Sequence, residues 1–77
     1  MQTVDRTALD ASLVAAHEDG DPARLSALYE RAANALTKAG DTDAACFFLT
    51  QAYVFALEAG APRADDLKSR LKAHGRI

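Results

Sequence analysis

Apolar side chains recur every three or four residues in four stretches of the chain, the spacing that lines up one face of an α-helix. In the first stretch Leu9, Leu13 and Val14, with Ala16 and His17, form one stripe that Gly20 closes. Asp21-Pro22 opens a second helix, because aspartate accepts the free N–H groups of a first turn and proline at the first helical position has no N–H to leave unpaired. This second stretch divides most cleanly, with Leu25, Leu28, Tyr29, Ala32, Ala33 and Leu36 assigned to one face and Ser26, Glu30, Asn34, Thr37 and Lys38 to the other. Gly40-Asp41 repeats the stop and start. Gly60-Ala61-Pro62 does so again, before a short stripe of Ala64, Leu67 and Leu71 that ends at Gly75. The pattern predicts an all-α chain with helices over about 5–19, 22–39, 42–59 and 62–74. Joints this short make neighbours antiparallel, so helical hairpins are expected, arranged as an array or a small bundle.

The third helix is apolar around more than half its circumference, where Ala45, Phe48, Leu49, Ala52, Tyr53, Phe55, Ala56 and Ala59 are spread. Thr50, Gln51 and Glu58 form a narrow polar strip, and Phe47 and Val54 fall inside that strip. Two apolar residues there need cover. The first or last helix is expected to supply it, since each carries a stripe that must be buried somewhere. The alternative is self-association, with Phe47, Gln51 and Val54 pairing two copies as a homodimer.

Composition agrees with one helical domain over residues 1–77: hydrophobic residues are 49% and charged residues 26%, with alanine and leucine prevailing over β-branched types. Gln51 and Glu58 interrupt the longest apolar run, which falls short of the about 20 residues of a membrane span. The opening MQTVDRTALD lacks the basic and apolar regions of a secretory signal, and the single cysteine forms no internal disulfide. A cytoplasmic protein without membrane contact is expected. Residues 1–60 carry four basic against nine acidic side chains, a net −5, whereas residues 61–77 carry five against two, a net +3. The basic tail has mixed charge and no interleaved aromatic residue, and the chain as a whole is acidic, which argues against nucleic acid as a partner.

Residues 25–59 resemble one degenerate tetratricopeptide repeat. Tyr29 stands at the aromatic position of that repeat's first helix and Ala33 at the small position where its two helices touch. Lys38 to Asp43 looks like the repeat's turn, and Ala45, Leu49 and Ala52 fall at its small–large–small positions. The repeat's closing proline would fall at Leu57, so the third helix is about a turn longer, and the first helix carries no repeat signature of its own. The resemblance implies a module that binds a protein or peptide on the face of the second helix, at Ala27, Glu30, Arg31, Asn34, Thr37 and Lys38. A repeat that clamps a carboxylate would want a basic residue where Glu30 stands; only Asn34 matches.

Candidate chemistry is sparse. Cys46 lies on an apolar helix with no histidine near it in sequence, the setting of a packed thiol. His17 and His74 fall in the last turns of helices, where an imidazole is favoured by the helix dipole. Glu18, Asp19 and Asp21 lack the alternating ligands of a calcium loop, and the single glycines make no phosphate cradle. No catalytic, cofactor-binding or metal-binding residue is assigned and no cofactor is expected. The sequence reads as a non-enzymatic protein–protein interaction module, with a homodimeric assembly protein as the alternative and, least favoured, a nucleic-acid-associated regulator using Arg63, Lys68, Arg70, Lys72 and Arg76 of the basic C-terminal stretch.

Overall fold

A computed structural model describes residues 6–77, and over them the chain forms four helices: α1 (Arg6–Asp19), α2 (Pro22–Lys38), α3 (Thr42–Ala59) and α4 (Arg63–Ala73). Each boundary lies within a residue of the sequence pattern, except that the expected start at residue 5 falls outside the described residues. The reasons are local. Asp21 and Asp41 cap α2 and α3, each accepting from the backbone N–H three residues on, Arg24 at 3.1 Å and Ala44 at 3.2 Å. Each such cap stabilises its helix by about 1 kcal/mol.

At the other end of α2, Gly40 adopts φ 84° and donates to Thr37 O, while the Asp41 N–H reaches back to Leu36 O at 2.9 Å. That pair of bonds closes the helix and needs the left-handed backbone that glycine reaches without a Cβ clash. α4 has no side-chain cap at Pro62; Asp65 and Asp66 in its first turn and Arg70 and Lys72 in its last complement the helix dipole instead.

Consecutive helices pack as antiparallel hairpins, and the backbones of α1 and α4 do not come together. The result is open: a slab of 35 × 32 × 14 Å, far broader than helices of this length closed into a bundle. Two apolar clusters hold it, and α2 and α3 take part in both. On the α4 side Ala33, Leu49, Ala52, Ala56, Leu67 and Leu71 are buried together. On the α1 side Ala16, Leu25 and Leu28 are joined by half-buried Leu9, Leu13 and Phe55. Tyr29 touches both clusters, its ring stacked on Phe48 at 5.9 Å and on Phe55 at 5.7 Å.

Several side chains depart from the sequence pattern, among them His17, placed in the stripe of α1 but exposed. Ser26, assigned to the polar face of α2, is fully buried and donates its hydroxyl to Ala52 O at 2.8 Å. It stands seven residues before Ala33, two turns away along one line of the helix, so its position is core although its type is polar. Val14, placed in the stripe of α1, is 57% exposed. It lies two residues from Ala16, on the opposite side of the helix, and α1 meets α2 along Leu9, Leu13 and Ala16. Leu36 is only half-buried.

Candidate interaction surfaces

The face of α2 assigned to a partner does lie on one side of the helix, but α4 engages it. Arg63 donates to Glu30 Oε1 at 3.2 Å, and Arg70 reaches Glu30 Oε2 at 3.5 Å and Asn34 Oδ1 at 2.8 Å. One carboxylate therefore holds two guanidinium groups, and Glu30 is left 27% exposed. Thr37 returns its hydroxyl to Ala33 O at 2.9 Å, within its own helix. Ala27 is half-buried; Arg31, Asn34, Thr37 and Lys38 are exposed. The polar groups central to this face are thus largely spent on the chain itself. Being half-exposed, the α2–α4 ion pairs contribute little to stability, about 0.2–1 kcal/mol each after solvent screening.

The outward side of α3 presents the reverse. Ala45, Leu49, Ala52 and Ala56 bury one side of the helix against α2 and α4. On the outward side, Phe47 is 59%, Val54 43% and Leu57 56% exposed. The expectation that α1 or α4 covers Phe47 and Val54 is therefore overturned. The cause is the open arrangement: α1 sits against the Phe55 edge of α3, with the His17 and Phe55 rings 5.8 Å apart, and α4 meets the opposite edge through Leu67 and Leu71. Neither helix wraps over the outer ridge. Phe47 gains only an edge-on contact with Phe48, 5.4 Å between ring centres.

Gln51, half-buried, flanks the ridge, and Thr50 stands on it with its hydroxyl donated to Cys46 O at 3.0 Å. Leu57 belongs to this ridge and was missing from the set inferred from sequence. The signal for it is the spacing: 47, 50, 54 and 57 follow steps of three, four and three, the seam pattern of a helix that packs against another helix.

One end of the ridge is marked by charge. Arg76 donates to Asp43 Oδ1 at 2.7 Å, tying the segment after α4 to the first turn of α3, and this hydrogen bond to a carboxylate raises the guanidinium's pKa above its ordinary value. The next residue, Ile77, is exposed. At the other end stands exposed Glu58. Cys46 is a buried free thiol.

Among the described residues no three or more His, Cys, Asp or Glu side chains gather as metal ligands, and no helix is long and apolar enough to cross a membrane. Comparison with family models, curated proteins and solved structures finds no match to the chain.

Proposed function

We propose that this chain is a small, non-enzymatic protein–protein interaction module of helical hairpins, resembling a tetratricopeptide repeat and working in the cytoplasm, with the outer ridge of α3 as its contact surface. One observation carries this reading: the most apolar helix of the molecule leaves Phe47, Val54 and Leu57 exposed in a single line. Apolar anchors at three- and four-residue spacing suit a helical partner, which lays its own apolar face along them. The α2 face is the weaker candidate, because a partner there would first have to displace Arg63 and Arg70 from Glu30 and Asn34.

The test is site-specific photocrosslinking in cells from a photoreactive side chain at Thr50, with association measured for two variants. Phe47→Glu abolishes it on this reading, and Glu30→Ala with Asn34→Ala leaves it intact. The opposite result moves the contact surface to α2. Association that neither variant affects, or none at all, removes the reading.

A further inference from the structure

Taking the α3 ridge as the contact surface, we infer that its occupant is a second copy of this chain, paired antiparallel about a two-fold axis near residue 52. The ridge is its own complement in that orientation. Its seam positions Phe47, Thr50, Val54 and Leu57 are centred on residue 52, so reversing the helix sets Phe47 against Leu57 of the second copy and Thr50 against Val54. Each large side chain meets another apolar group. Thr50 fits such a seam because its hydroxyl is already bonded to Cys46 O, which leaves a methyl group to present.

Charge chooses between the two directions. Antiparallel pairing brings Glu58 of each copy within about a turn of the other's Asp43–Arg76 pair, whose guanidinium side chain stays 42% exposed beside Asp43. Parallel pairing places Glu58 level with Glu58 and Arg76 level with Arg76, like against like at both ends.

The size of the ridge sets the strength. It is one helix wide and runs from Phe47 to Leu57, about 15 Å by 10 Å. A pair built on it buries less than the roughly 800 Å² per partner of a standard stable interface. The dimer is therefore reversible, with a dissociation constant in the micromolar range, and the fraction assembled follows the concentration of the chain.

Sedimentation velocity on the full chain, from sub-micromolar to several hundred micromolar at low salt, tests this. The wild type passes from monomer to dimer across that range. Val54→Lys, at an exposed position that leaves the fold intact by circular dichroism, weakens the dimer by more than about tenfold, the scale of an anchor lost from the centre of an interface. Glu58→Arg weakens it as well, and adding Arg76→Glu to Glu58→Arg restores it. A wild type that stays monomeric throughout overturns the second copy as occupant, while photocrosslinking from Thr50 to a different protein would still support the α3 ridge as a contact surface. A dimer untouched by Val54→Lys is built on another surface and also overturns the inference. Loss with Val54→Lys but indifference to Glu58→Arg and to the double change refutes the antiparallel register.

Discussion

Ser26 offers the sharpest check on how α2 and α3 are held together. Its side chain is fully buried and its hydroxyl donates at 2.8 Å to Ala52 O, across the contact between the two helices. Ser26→Ala removes one hydrogen bond and leaves no polar group stranded, because the Ala52 carbonyl keeps its place in the α3 ladder. The expected loss is the net worth of one buried hydrogen bond, about 1 kcal/mol. Ser26→Val removes the same bond and adds bulk where Ala33, Ala45 and Ala52 keep the helices close. Overpacking such a site costs about 1–3 kcal/mol, so the total is about 2–4 kcal/mol.

These losses are large for a 77-residue chain, whose whole stability is about 4–12 kcal/mol. Urea denaturation followed by circular dichroism measures them. With an m-value of about 1 kcal/mol/M, Ser26→Ala moves the midpoint down by about 1 M. Ser26→Val moves it further at unchanged m-value. A valine variant as stable as the alanine variant would refute close packing at this crossing. An alanine variant equal to the wild type would refute the energetic role of the hydrogen bond.

Three further perturbations test other parts of the fold. Leu49→Ala, at a fully buried side chain of the α4-side cluster, is expected to lose about 2–5 kcal/mol by urea denaturation, against under about 0.5 kcal/mol for a change at exposed Lys38. Gly40→Ala places a Cβ at φ 84° and lowers stability by about 1–2 kcal/mol; since a Cβ built there meets no atom within 4 Å, a larger loss would mean a clash that the structure does not contain. Buried Cys46 should react with a thiol reagent at once in denaturing urea and only through opening of the native protein, so prompt reaction of the folded chain would show that α3 is not packed as described.

Most of the secondary structure was legible because its signals are local. Asp21-Pro22, Gly40-Asp41 and Gly60 act within a turn of the chain, and they fix the helix ends whatever the tertiary packing. Where a residue's surroundings depend on helices distant in sequence, legibility fell away. Ser26 reads as polar from its type, yet Ala52 lies opposite it and supplies an acceptor. Glu30 and Asn34 read as a solvated face, yet Arg63 and Arg70 come from a helix more than thirty residues further on. Phe47 and Val54 stood out as apolar residues in a polar strip, which was correct; what covers them depends on whether the row of helices closes. It does not close, and no local pattern in α1 or α4 encodes that.

The open row also predicts an uneven distribution of stability. α2 and α3 contribute to both clusters, and α4 contributes Leu67 and Leu71, both essentially inaccessible to solvent. α1 offers less: among its described residues Ala16 alone is fully buried, with Leu9 and Leu13 half-covered and Val14 exposed. Its backbone packs on α2 only, and its reach to α3 is the edge-on meeting of His17 with Phe55. Opening α1 exposes Ala16 and parts of Leu9 and Leu13 and uncovers the faces of Leu25, Leu28 and Phe55 they pack against, still less than the apolar area lost in global unfolding, which also opens the α4-side cluster. A segment with so little burial opens below the global free energy, as a separate cooperative unit. Native-state hydrogen exchange at rising urea is expected to show the amides of α1 exchanging through this partial opening, while those of α3 exchange only with the whole molecule. Leu13→Ala should lower protection in α1 and leave the α3 amides nearly unchanged relative to the global transition. If α1 and α3 amides instead converge on one opening free energy in the absence of urea, the four helices form a single cooperative unit, and the contact of α1 with α2 is worth far more than its buried area allows.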